Sequence, residues 1–245
     1  MKKKNFIPAL LIVFIAFACS MGESDSNASD SGKGGSMAGF TIIGNYLYTT
    51  SNDQLKVTDI STPSNPRYKK TVNPGFGIET IFGRDQYLFL GTQTGMYIYD
   101  ANIADSPVLL SFYQHIYSCD PVVADQQYAY VTLNSVWGNC GQNSNELQIV
   151  DISDLSNPYQ IFSKSMTSPR GLCIQNDTLV VCDNGLKIFK VAADRKSISL
   201  LKDIDINATD VISLGHHWLV IGDDGFYQYQ IKNNEIKLLS SILKD

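Results

Sequence analysis

Three aspartates recur at one position of a repeated pattern and are the first candidates for chemistry. Asp59, Asp100 and Asp151 each end an apolar segment, and a proline follows each of them seven residues later. Carboxylates that meet in space can act as general acids and bases or bind a cation. An aspartate just before a turn instead accepts hydrogen bonds from backbone N–H groups two or three residues further on. Because these aspartates recur at a fixed place in the repeat, we interpret them as turn residues.

Glycoside hydrolysis is the main catalytic alternative. It requires two carboxyl groups about 5–9.5 Å apart in one pocket. Glu79, Asp120 and Asp210 could converge near the inner strands of the fold predicted below. Nothing in their spacing requires that they converge, and capping of loops is the simpler interpretation.

No other catalytic or cofactor signature stands out in the sequence. The histidines His115, His216 and His217 do not have the spacing of metal ligands, and we place the last two in a turn. There is no nucleophile elbow and no glycine-rich phosphate loop. A net charge of −5 gives no basic surface for nucleic acid. The sequence therefore predicts no cofactor, no metal site and no catalytic residue.

The elements that carry these residues repeat along the chain. Apolar and aromatic strand-like segments precede turns rich in Gly, Asn, Asp, Ser and Pro, and no apolar pattern of helical period is sustained. Turns between the first two strands of a repeat are predicted at Gly44-Asn45, Asp85-Gln86 and Asn176-Asp177. A period of about 40–45 residues with four short strands is typical of a β-propeller blade. The fold class predicted is all-β, a five-bladed β-propeller of four-stranded antiparallel blades. The third strands of the five repeats are predicted at 55–59, 96–100, 147–151, 186–190 and 226–230.

One stretch carries a family resemblance. The segment Leu-Gln-Ile-Val-Asp-Ile-Ser-Asp-Leu-Ser-Asn-Pro at 147–158 resembles the LVIVD repeat of bacterial and archaeal surface propellers. The resemblance covers about residues 40–245 and is strongest in the second and third repeats. It implies a propeller fold and a surface location, but it brings no general biochemical activity with it.

The N-terminus has the pattern of a lipoprotein signal. Lysines 2–4 precede an apolar run, Phe6–Ala18, which is too short to span a membrane. Ala-Phe-Ala-Cys-Ser at 16–20 resembles a lipobox, the signal for acylation of the cysteine and cleavage before it. We expect a signal peptide over 1–18, a lipidated flexible tether over 19–36 and the propeller over 37–245. The expected location is the outer membrane, facing either the periplasm or the outside.

Four further cysteines lie in a chain that is expected to leave the reducing cytoplasm. Cys119 and Cys140 are predicted at the same end of the third blade, where a disulfide is geometrically plausible. Cys173 is predicted opposite Val180 on a hairpin, so that Cys182 is only its diagonal neighbour. We interpret Cys173 and Cys182 as buried apolar residues.

The loops that lead into the innermost strand of each blade are rich in aromatic and charged residues. Aromatic rings beside amides suit sugar or peptide recognition, because the ring stacks and the amides orient the ligand. An equally weighted alternative has Trp137 packed as a plug beneath its own loop. The residues predicted to bind a ligand at this end are Phe76, Glu79, His115, Tyr117, Trp137, Arg170 and Asp210.

The function predicted from these features is that of a non-enzymatic binding module anchored to the membrane. Its ligand would be a glycan or an envelope or extracellular protein. A propeller glycoside hydrolase is the alternative, and a structural envelope protein is the third. Because the repeats begin at their first strand and end at their fourth, no strand exchange closes the ring, and a partial sixth blade or closure by oligomerisation stays open.

Replacing the lipobox cysteine tests the anchor. Cys19→Ala removes the thiol that would be acylated, and acyl chains contribute about 0.8 kcal/mol per buried methylene. We expect the variant to be released from membranes by a carbonate wash while the wild type is retained. Equal retention of both proteins would contradict lipidation.

Mass mapping under non-reducing conditions tests the disulfide. We expect a peptide that joins Cys119 to Cys140, because both residues lie at one end of the same blade. Recovery of both residues as alkylated free thiols would exclude the bridge.

Overall fold

Twenty β-strands and no helix are present in the computed structural model, which describes residues 34–116, 118, 121–135, 145–232 and 235–244. The strands form five antiparallel sheets, here called blades 1 to 5, and each sheet takes four consecutive strands. Within each blade the strands are called A to D in chain order. The predicted all-β fold of five four-stranded blades is confirmed.

The first three blades use twelve of these strands. Blade 1 contains β1 (Phe40–Ile43), β2 (Tyr46–Ser51), β3 (Gln54–Asp59) and β4 (Arg67–Val72). Blade 2 contains β5 (Ile78–Arg84), β6 (Tyr87–Thr92), β7 (Gly95–Asp100) and β8 (Val108–Gln114). Blade 3 contains β9 (Val122–Ala124), β10 (Tyr128–Leu133), β11 (Glu146–Asp151) and β12 (Tyr159–Ser165).

The last two blades follow the same plan. Blade 4 contains β13 (Pro169–Gln175), β14 (Thr178–Asp183), β15 (Leu186–Val191) and β16 (Ile198–Ile204). Blade 5 contains β17 (Ala208–Ser213), β18 (His217–Gly222), β19 (Gly225–Lys232) and β20 (Glu235–Leu243). His217 begins β18 and pairs with Gln230, so its predicted place in the turn was wrong by one residue.

The turns between strands A and B follow from local sequence. Gly44, Asp85 and Asn176 have φ values of 55°, 51° and 56° at the tips of these hairpins. Tight two-residue hairpin turns require such positive φ, which Gly, Asn and Asp tolerate best. These three turns were predicted at the same residues.

The recurring aspartates are turn residues, as predicted. The Oδ1 atoms of Asp59, Asp100 and Asp151 accept hydrogen bonds from the amides two residues on, at 2.9, 2.7 and 2.9 Å. Hydrogen bonds from Ser61 are the main cause that lowers the pKa of Asp59 to about 2. These three carboxylates therefore fix the start of the C–D turns in blades 1 to 3.

Apolar clusters join each blade to the next. Phe89 and Ile98 of blade 2 pack against Val131 of blade 3, and all three are fully buried. Similar clusters lie between blades 1 and 2, 3 and 4, and 4 and 5. Within the described ranges, no such cluster joins blade 5 to blade 1. Phe226 and Phe40, on the faces that flank this seam, are 48% and 51% exposed.

The segment that precedes the first strand, residues 34–39, is part of the fold. The carbonyl oxygens of Gly39 and Ala38 accept hydrogen bonds from the amides of Thr50 and Ile81, at 2.8 and 2.9 Å. Ser36 is buried and its Oγ accepts from the amide of Leu172 at 2.8 Å. The packed chain thus begins before residue 37, because small residues at 34–36 fit between the inner strands.

Substitution of one recurring aspartate tests its role in the turn. Asp100→Ala removes the acceptor for the amide of Asn102 and is expected to lower the free energy of unfolding by about 1 kcal/mol. Asp100→Asn keeps an acceptor oxygen and should cost less than half as much. Denaturant unfolding of both variants measures this, and equal losses would contradict the turn role.

Candidate functional site

A cavity lies on the propeller axis, where the five A strands meet. Its volume is about 430 Å³, and residues of all five blades line it. Small-molecule sites usually have volumes of about 300–1,000 Å³ and form where several elements converge. The cavity is therefore large enough to hold a small ligand or one unit of a larger one.

The cavity is lined by exposed residues at one end and by half-buried and buried residues at the other. Its lining reaches the A–B turns at Gly44, Asp85 and Gly215. At the other end the lining includes Gly34 and Ser36, which precede the first blade. The cavity is thus a cup whose mouth lies among the A–B turns and whose base is the N-terminal segment.

The wall of the cup is apolar with a few polar groups. Phe82 and three isoleucines from other blades are half-buried in the wall. Ser213 donates a hydrogen bond from its Oγ to Oε1 of Gln175 at 3.1 Å, which links blades 4 and 5. A ring, an amide and hydroxyl groups therefore face one space. The isoleucines are Ile43, Ile174 and Ile212.

Arg84 at the mouth joins blade 2 to blade 3. Its Nη1 donates to the carbonyl oxygen of Asp125, and its Nε lies 3.7 Å from Oδ2 of Asp85. The guanidinium lies 5.5 and 5.2 Å from the ring centroids of Tyr87 and Phe89. Burial lowers the pKa of Arg84. Through these contacts the Arg84 guanidinium binds within the interface between blades 2 and 3. Asp85 supplies the carboxylate that lines the mouth of the cup.

Asp210 lies at the closed end and is 8% exposed. Its Oδ1 accepts hydrogen bonds from Oγ of Ser36 at 3.1 Å and from the amide of Val211 at 2.9 Å. The amides of Ser36 and Met37 also donate to this carboxylate. Burial is the main influence on its ionisation and raises the pKa of Asp210 to about 6. The side chain is therefore enclosed by the N-terminal segment.

The ligand-binding residues predicted from the sequence lie at the end opposite the mouth, as far as the structure describes them. Phe76 is 72% exposed, and Glu79 accepts a hydrogen bond from Gln93 at 3.2 Å. Nδ1 of His115 lies 2.6 Å from the carbonyl oxygen of Ile116.

Arg170 precedes Gly171 in β13, and Gly171 packs against Asp210. Nη1 of Arg170 is 3.8 Å from Oδ2 of Asp223. Tyr117 and Trp137 lie outside the described residues. Ligand binding by this set stays a prediction, and among its described members Asp210 is the one that is buried.

Two of the three carboxylates proposed for glycoside hydrolysis are described, and they lie in separate surroundings. Glu79 is bonded to Gln93, and Asp210 is enclosed by Ser36 and Met37. Asp120 lies outside the described residues. In the part of the chain that the structure describes, no three His, Cys, Asp or Glu side chains are grouped to hold a metal ion.

Two cysteines are placed as predicted. Cys173 pairs with Val180 in the hairpin of β13 and β14, and both Cys173 and Cys182 are buried free thiols. Burial raises the pKa of both thiols. Cys19, Cys119 and Cys140 lie outside the described residues, so lipidation and the disulfide stay predictions. No helix within the described ranges is long and apolar enough to cross a membrane.

Sequence reasoning missed the cavity residues. Gln175 and Ser213 are the last residues of their A strands, and Arg84 has the same place in blade 2. The detectable signal is position: the residue that ends strand A in each repeat faces the axis at the mouth. The sequence prediction was based on aromatic and charged residues in the loops. It therefore missed this position, which is defined by its place in the repeat and not by residue type.

Comparison with known proteins supports the repeat and the fold. The model of the LVIVD repeat matches residues 34–74 and 119–165, which cover blades 1 and 3. The match to the third repeat agrees with the sequence prediction, whereas the other match falls on the first repeat and not on the second. No curated protein matches the sequence.

Solved structures share the fold at low sequence identity. A Lactobacillus plantarum protein has a TM-score of 0.64 and 15% identity, with coverage of 80% of this chain and 67% of its own. The periplasmic gluconolactonase of Pseudomonas aeruginosa has a TM-score of 0.61 and 15% identity, with coverage of 82% and 68%. A functionally unknown protein from Desulfotomaculum acetoxidans has a TM-score of 0.66 and 12% identity, with coverage of 87% and 69%.

At such low sequence identities, the structural similarity shows the fold alone and does not transfer an activity to this chain. Five four-stranded sheets surround one axial cavity, and the repeat model matches two of them. The described residues of this chain therefore form a five-bladed β-propeller that contains LVIVD repeats.

Proposed function

We propose that this protein is a non-enzymatic binding module that captures a glycan at the cell envelope and takes one sugar unit into the axial cup. The observation that carries this proposal is the cup itself, a cavity of about 430 Å³ with one open mouth. Its residues come from all five blades, so that the rigid parts of the fold hold the lining in place.

The chemistry of the wall suits a sugar better than a charged ligand. A sugar ring has apolar C–H faces that stack on an aromatic side chain, and hydroxyl groups that bond to amides and hydroxyls. Phe82 supplies the ring, and Gln175 and Ser213 supply the polar groups. Among the described residues, the charged members of the lining are Arg84 and Asp85, which are of opposite sign and lie together at the mouth.

The place of action is proposed from the N-terminus. Acylation of Cys19 would hold the propeller at the outer membrane through the polar residues that follow. The described chain begins at the base of the cup, so the anchor would connect at the end opposite the mouth. A mouth that faces away from the membrane is the orientation expected for capture of an external ligand.

A hydrolase is the second candidate, because one structural neighbour is named as a periplasmic gluconolactonase. General acid–base catalysis needs a titratable group within hydrogen-bond reach of the substrate. Asp85 is the one carboxylate that lines the cup in the described structure, and a glycosidase pair needs two. A purely structural envelope role is third and predicts no ligand at all.

A pair of identical substitutions, one inside the cup and one outside, tests the site. Ser213→Tyr places a large side chain in the cavity, while Leu214→Tyr adds the same group at a position that is 50% exposed and outside the lining. On a glycan array we expect wild type and Leu214→Tyr to bind the same glycans and Ser213→Tyr to lose at least tenfold in affinity. Circular dichroism checks that both variants fold.

The same array separates the competing sites and functions. Loss of binding in Trp137→Ala with full binding in Ser213→Tyr would move the site to the opposite end of the propeller. Release of free sugar from a bound glycan, or hydrolysis of gluconolactone, would establish the enzymatic alternative. Binding of no glycan by the wild type would overturn the proposal and favour a protein ligand, which crosslinking on intact cells would seek.

A further inference from the structure

A β-turn at the N-terminal side of blade 1 occupies the base of the cup. The amide of Ala38 donates to the carbonyl oxygen of Gly35 at 3.1 Å, which closes the turn over residues 35–38. Within this turn the amides of Ser36 and Met37 point to the Asp210 carboxylate. A concave set of backbone N–H groups of this kind is a common way to hold an anionic oxygen.

The turn packs tightly against Asp210 and against the strand that carries Gly171, which together are here called the Asp210 socket. A Cβ atom on Gly35 would lie 2.0 Å from Oδ2 of Asp210, and one on Gly171 would lie 2.1 Å from Oδ1. Two glycines thus enclose the carboxylate from opposite sides. In the same segment, a Cβ on Gly39 would meet nothing closer than 3.8 Å.

This segment connects blades that no other contact described above brings together. Ser36 bonds to Leu172 of blade 4 and to Asp210 of blade 5, while Ala38 and Gly39 bond to blades 2 and 1. The seam between blades 5 and 1 is the one without an apolar cluster in the described part of the chain. The turn therefore joins blades 4 and 5 to blades 1 and 2 at the seam that has no apolar cluster.

We propose that residues 34–39 are the closing element of the ring and that the Asp210 socket is a binding site for this segment, whose release opens the cup at its base. The tie acts in place of strand exchange, since each sheet of the described residues takes four consecutive strands. Release would turn the cup into an open channel and would free the last blade from the first.

Hydrogen exchange of the Leu172 amide in the purified full-length protein tests the tie. This N–H donates to Oγ of Ser36, so it loses its partner whenever the turn leaves the socket. Asp210→Ala removes the acceptor of the Ser36 hydroxyl and of the turn amides. After correction for intrinsic exchange, we expect protection of the Leu172 amide to fall at least tenfold in this variant while the protection of Ile98 in the blade core stays unchanged.

A matched pair of glycine substitutions tests the fit of the turn against Asp210. Gly35→Ala forces the carboxylate out of its place, and we expect protection of Leu172 to fall at least tenfold. Gly39→Ala has space for its Cβ and should leave protection within twofold of the wild type. Equal protection in the two variants would overturn the closing role of the segment. Unchanged protection of Leu172 in Asp210→Ala would overturn the role of the carboxylate.

Discussion

Burial of sheet faces against neighbouring sheets is the constraint on which the rest of this structure depends. A four-stranded blade has two faces, and neither can be buried within the blade itself. Each apolar cluster therefore takes one face from each of two successive blades, as Ile98 and Val131 show. The radial arrangement that results leaves the A strands around an axis, and this is the reason why a cavity exists there.

The constraint is satisfied at four seams and handled differently at the fifth. Between blades 5 and 1, Phe226 and Phe40 remain half exposed, and short polar contacts from the N-terminal turn replace apolar packing. A buried carboxylate is costly unless several donors satisfy it. Asp210 has such donors in Ser36, Met37 and Val211, which explains how a charged residue type is accommodated at the centre of an apolar ring.

The sequence allowed the fold to be predicted because the physics of a blade is local. Strand alternation, the turn residues Gly44, Asp85 and Asn176, and the aspartates before the C–D turns of blades 1 to 3 all act within a few residues, and each was identified correctly. The cup was not predicted, because it is formed by residues of five repeats that are distant in sequence. Asp210 was singled out as a ligand-binding residue, yet its bonding to Ser36 depends on how the ring is fastened, which no local pattern reports.

The bond between Ser36 and Asp210 joins residues 174 positions apart, whereas every sheet is built from strands consecutive in the chain. Blades can thus form one after another as the chain emerges, with little cost for closing long loops. The N-terminal segment is made first, but its socket is complete only when β17 has been made. Gly35 and Ser36 must therefore stay without their native partner Asp210 until the last blade has formed. The final folding step is then one long-range loop closure.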